Sequence, residues 1–86
     1  MAFAVPPRVL LDDAADLMQR GERAIAAGED RIDLSAVTQS DSGLLACLLA
    51  WRRAAEALGQ TLIVANPPAG LRGIAELYGV VALSLG

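Results

Sequence analysis

The feature that most constrains this chain is a long helical segment, running from the Ser40-Asp41-Ser42 cluster to Gly59, set between two short runs of strand character. Arg31 to Ser35 alternates, with Ile32 and Leu34 on one side and Asp33 on the other, and polar Thr38 to Asp41 follow it. Thr61 to Ala65 is a β-branched apolar run. Ser40, Asp41 and Ser42 offer three successive N-caps for the helix between them, and Gly59 suits its C-terminal end. Two strands joined by a connection of this length cannot form a hairpin. They are expected to lie parallel with a right-handed crossover, which sets the class as α/β.

The flanking segments extend the same plan. Leu11, Ala14, Ala15, Met18 and Ile25 recur at helical spacing between Leu11 and Ala27, with Asp12 and Asp13 near the start, Arg20 and Arg23 further along, and Gly28 at the end. Asn66-Pro67-Pro68 reads as the start of a third helix carrying Leu71, Ile74, Ala75 and Tyr78 and stopping at Gly79. Ala2 to Val5 and Val80 to Leu83 are short enough to add only edge strands, and Pro6 and Pro7 limit the pairing of the first. The expected architecture is a single domain over residues 1–86, a small sheet of about four strands with a parallel βαβ unit and three helices.

Composition then removes function classes. With 55% hydrophobic and 20% charged residues the 86-residue chain has the make-up of a packed globule. The net charge is −3 and no basic cluster exists beyond Arg52-Arg53, so the positive field that a nucleic-acid partner needs is missing. The chain holds no His and no Lys, which excludes Ser-His-Asp and Cys-His units, P-loops and Schiff bases. A single Cys47 without His makes neither a disulfide nor a zinc site, and its apolar helical surroundings read as those of a buried small hydrophobe. Asp12, Asp13 and Asp16 lack a ligand loop and read as a solvated helix start. No catalytic residue, cofactor or metal is expected. The longest apolar run, Leu44 to Trp51, is far short of the ~20 residues of a membrane span, and Met1 to Pro7 has no signal-peptide pattern, so a cytoplasmic location is expected.

The loop Thr38 to Gly43 leaves the carboxyl end of the first strand, where open α/β sheets place their sites. Asp41 or Ser42 can serve there simply as a helix cap. Equally, the positive helix end makes Ser42 a favourable position for a phosphate and hence a candidate phosphorylation switch. Along the helix, Leu44, Leu48, Trp51, Ala55 and Leu58 form one stripe, while Leu45 and Leu49 fall on another beside Arg52 and Glu56. Either the core face is broad or an apolar patch is exposed. In the second case Trp51 with Arg52 and Arg53 has the residue types that anchor interfaces.

The runs Ile32-Asp33-Leu34-Ser35, Asp41-Ser42-Gly43-Leu44-Leu45-Ala46-Cys47-Leu48-Leu49 and Tyr78-Gly79-Val80, with Trp51 and Gly59, resemble the STAS domain family over nearly the whole chain. The likeness is greatest to MlaB-type subunits of phospholipid-transporting ABC systems. It implies a sheet of four or five strands with helices on one side, no catalysis, and action through a protein partner at the Asp-Ser loop. That partner is the transport ATPase in MlaB-type subunits, which would place the chain peripherally at the inner membrane. In anti-sigma-factor antagonists the residue matching Ser42 is phosphorylated by a partner kinase. The resemblance implies partner contacts at Ser40, Asp41, Ser42 and Gly43, to which the helix pattern adds Leu45, Leu49, Trp51, Arg52 and Arg53. Homodimers are compatible with it. Two departures stand out: Leu44 occupies the position where the family commonly has glycine, and the leading β-hairpin is compressed into about ten residues, which threatens to leave a sheet edge exposed.

Overall fold

A computed structural model describes residues 2–68 and 84–85. The elements are β1 (Phe3–Ala4), β2 (Arg8–Val9), α1 (Leu11–Ala26), β3 (Arg31–Asp33), β4 (Gln39–Ser40), α2 (Ser42–Ala57), β5 (Ile63–Ala65) and β6 (Ser84–Leu85). The expected third helix and the Val80 to Leu83 strand lie outside the described residues, among which there are two helices.

The parallel pair forms as its sequence predicts. β3 and β5 are in register at Arg31↔Ile63, Ile32↔Val64 and Asp33↔Ala65, with α2 in the crossover between them. β1 adds in parallel beside β3 and β6 in parallel beside β5, giving the order β1-β3-β5-β6. Phe3, Ile32 and Val64 fall side by side across the sheet; Ile32 and Val64 are fully buried, and the Phe3 ring meets Trp51 of α2 edge-on at 5.7 Å. This face is therefore the one that α2 covers. Gly28 and Gly59, just past the ends of the two helices, take left-handed backbone angles of φ +108° and +70°.

The N-terminal segment does not make a compressed hairpin. β1 goes to the edge of the main sheet, and β2 pairs instead with β4 in a separate two-stranded parallel sheet, Arg8↔Gln39 and Val9↔Ser40. Pro6 and Pro7 separate the two strands, which fits the missing donor and fixed φ of proline. β2 and β4 each lead into a helix, so the two helices start side by side.

α1 and α2 then pack along their length. The Cys47 thiol donates to the Ala14 carbonyl at 3.6 Å, and the Trp51 indole N–H donates to the Met18 carbonyl at 3.0 Å. The buried stripe of α1 is Ala14, Leu17, Gly21 and Ile25, which differs from the expected one: Leu11 and Ala15 are exposed and Met18 is half-buried. Apolar spacing in an alanine-rich helix allows more than one phase, and the phase adopted is the one that sets Gly21 beneath the Trp51 ring. On α2 the core face is the broad one. Leu44, Leu45, Cys47, Leu48, Trp51 and Ala55 are all buried, and Leu58 is exposed.

Cys47 behaves in this setting as the small hydrophobe its sequence context suggests. Burial pushes its thiol up to about 11, so at pH 8 only on the order of a thousandth is thiolate. Iodoacetamide at pH 8 is expected to leave the native chain unlabelled and to add one carbamidomethyl group after unfolding, as read by intact mass. Rapid labelling of the native protein would contradict this burial.

Candidate functional site

The helix N-termini meet at one corner of the molecule. The N-cap of α1 is Leu10, which has no side-chain oxygen to offer the free N–H groups of the first turn. Asp41, thirty positions away in the chain, supplies one: its Oδ2 accepts from the Leu11 N–H at 3.2 Å, while its Oδ1 accepts from the Gly43 N–H at 2.7 Å and caps α2. One carboxylate thus joins two helix starts, where both helix dipoles favour negative charge. Asp13 completes the corner by accepting from the Leu10 N–H at 3.0 Å, with the Arg8 guanidinium 3.6 Å from the same oxygen. Each cap is worth about 1 kcal/mol, so Asp41→Ala is expected to cost about 2 kcal/mol in urea unfolding and to speed amide exchange at both Leu11 and Gly43. Loss of protection at Gly43 alone would show that the bridge is not formed in solution.

The approach is close because Gly43 has no side chain. A Cβ there would lie 2.8 Å from the Leu10 carbonyl carbon and 2.9 Å from the Leu11 nitrogen. Leu44, which follows it, is buried. The glycine therefore stands where the helices touch, and a leucine in the next place packs into the core.

The residues singled out from sequence fall into three groups. Ser40, Asp41 and Ser42 are exposed, Ser42 as the first residue of α2, and Arg53 is exposed about one turn beyond Leu49 on the same helix. Leu49 and Arg52 are half-buried, and the Arg52 guanidinium is already engaged with Glu56 at 2.9 Å, an i, i+4 pair worth a few tenths of a kcal/mol. Gly43, Leu45 and Trp51 are buried, which corrects their expected surface role. Trp51 is 0% exposed, its ring filling the space between α1, α2 and Phe3. At 100° per residue, Ser42, Ala46, Leu49 and Arg53 make the outward stripe of α2.

A second polar joint sits at the carboxyl ends of β3 and β5. Asp33 Oδ1 accepts from the Ser35 N–H at 2.9 Å and from the Asn66 amide at 3.1 Å, and Asn66 has φ 55°. The Ser35 backbone hydrogen bond, followed by that from Asn66, holds the Asp33 carboxyl below the ordinary carboxylate range. The sequence reading placed Asp33 only on the polar side of its strand. An aspartate with serine two residues on is an Asx-turn signal that identifies half of this joint; nothing local points to Asn66. Asp41 as a cap was legible, but its bond to Leu11 was not.

Among the described residues no group of three or more His, Cys, Asp or Glu is placed to hold a metal ion, and no helix is long and apolar enough to cross a membrane. No curated protein matches the chain, and no solved structure does. The family described as Mlab, STAS domain matches residues 5–84 of the 86, spanning both helix starts, the βαβ unit and the Asp41-Ser42 corner. The chain belongs to that MlaB-type STAS domain family.

Proposed function

We propose that this chain is a non-catalytic accessory subunit that docks onto the cytoplasmic ATPase of an Mla-type phospholipid transporter through the Asp41-Ser42 corner and the outward stripe of α2. STAS domains generally act as regulatory binding domains and typically mediate protein–protein contacts. The observation that carries the reading is the exposure of Ser42 at the first turn of α2, in line with Ala46, Leu49 and Arg53. A rigid helix presents that stripe, and its first turn is held from two sides by Asp41, so little ordering entropy opposes docking.

The test is affinity for the purified cognate Mla-type transport ATPase, measured by biolayer interferometry. Ser42→Glu and Arg53→Glu are each expected to weaken binding tenfold or more while the circular-dichroism spectrum is retained. Wild-type affinity in both variants would remove this surface from the docking reading. The exposed Ser42 hydroxyl at a helix start also suits the second reading, an anti-sigma-factor antagonist switched by phosphorylation. Incubation with the candidate kinases of the same genome separates the two, since the antagonist gains one phosphate by intact mass and Ser42→Ala does not.

A further inference from the structure

Leu11 is one of two large hydrophobic side chains that are strongly exposed among the described residues, at 61%; the other, Leu58, lies at the opposite end of α2. Single exposed leucines are common and need no explanation by themselves. What distinguishes Leu11 is its place. Its N–H is bound to Asp41, the residue before Ser42, so its side chain leaves the backbone within the same corner. Among the described residues the corner is held by the Leu11 backbone, and its side chain covers little of the core. Around it acidic groups outnumber basic ones: Asp12 and Asp41 are exposed and Asp13 is half-buried, against one cation, Arg8, which is also exposed and lies 3.6 Å from the Asp13 carboxylate. An apolar centre with an acidic rim complements a partner surface that offers an apolar pocket edged by Lys or Arg.

We propose that Leu11 is an apolar anchor of the docking surface, received by a basic-rimmed apolar pocket on the protein that meets Ser42. This rests on the docking reading above and extends it from α2 onto α1. Four variants measured against the same purified ATPase test it. Leu11→Ser is expected to weaken binding about tenfold without moving the thermal midpoint, whereas Leu11→Met, which keeps the apolar bulk, and Leu58→Ser keep wild-type affinity. Asp12→Asn is expected to slow association and reduce its sensitivity to salt. If Leu11→Ser binds like wild type while Ser42→Glu does not, the anchor is wrong and the docking reading stands. Equal weakening by Leu11→Met or by Leu58→Ser also overturns the anchor. If wild type fails to bind the ATPase, both fall together.

Discussion

Trp51→Ala is expected to be the most damaging single substitution tested on this fold, lowering its stability by about 3–5 kcal/mol. Small domains commonly have ~5–15 kcal/mol in all, so this one change removes a large fraction of the total. The ring is fully buried, meets Phe3 edge-on and gives its N–H to the Met18 carbonyl, so truncation removes apolar burial, an aromatic contact and a hydrogen bond at once. It also leaves a cavity between α1 and α2. Trp51→Phe, which keeps most of the packing, should recover the larger part. Urea unfolding followed by circular dichroism reads both, because Trp51 is the only tryptophan and its fluorescence is lost with it.

Gly21 tests the same contact from the other helix. A Cβ on Gly21 would overlap the Trp51 ring, lying 2.7 Å from Cζ2 and closer still to Nε1 and Cε2. Gly21→Ala should therefore destabilise the wild-type background and be neutral or stabilising in Trp51→Ala, where the clash is gone and alanine is the better helix former. Additive effects in the double variant would mean that the two residues do not touch. A stable, well-folded Trp51→Ala protein would return Trp51 to the list of surface candidates.

Gly43→Ala is expected to have the next largest effect, about 2–3 kcal/mol. The added methyl group meets the Leu10 carbonyl carbon and oxygen and the Leu11 nitrogen, and backbone atoms cannot turn aside as a flexible side chain does. α2 must then move away from α1 at its first turn, which breaks the Asp41 bond to Leu11. The propensity gain of alanine over glycine, at most ~1 kcal/mol, offsets only part of this. Urea unfolding gives the magnitude. Amide exchange gives the cause, since Leu11 should lose protection while the Trp51 end of the helix pair does not. A Gly43→Ala protein more stable than wild type would rule out the close approach.

Several elements were legible from local chemistry because their causes are local. Gly28 and Gly59 end the helices with the left-handed backbone that glycine tolerates, and Asp41 caps α2 through its neighbour Gly43. The alternation around Ile32 and the β-branched run at Ile63 to Ala65 form the parallel pair, with Ile32 and Val64 beside each other and buried. The Asp41-Ser42 corner was also marked as the place for function, and Ser42 is exposed there.

Other features were not legible, and the reasons are specific. Spacing in α1 admitted a stripe through Leu11 and Ala15, and nothing short of the Trp51 ring against Gly21 selects the stripe through Leu17 and Gly21 instead. On α2 an apolar face too broad for one contact was compatible with an exposed Trp51, until α1 and the sheet enclosed it from separate directions. Pairing of Arg8–Val9 with Gln39–Ser40 joins dipeptides that carry no strand signal of their own.

By itself, then, the sequence determined the α/β class, the helix ends, the βαβ crossover, the family likeness and the residue types unavailable for catalysis. Each of these depends on composition or on interactions within a few residues. Only the tertiary structure decided that Trp51 belongs to the core, that Leu11 faces outward, and that Asp41 holds two helices at once. Those outcomes depend on which distant segments come into contact, and the energies that select among them are packing and hydrogen-bond terms that exist only once the chain has closed on itself.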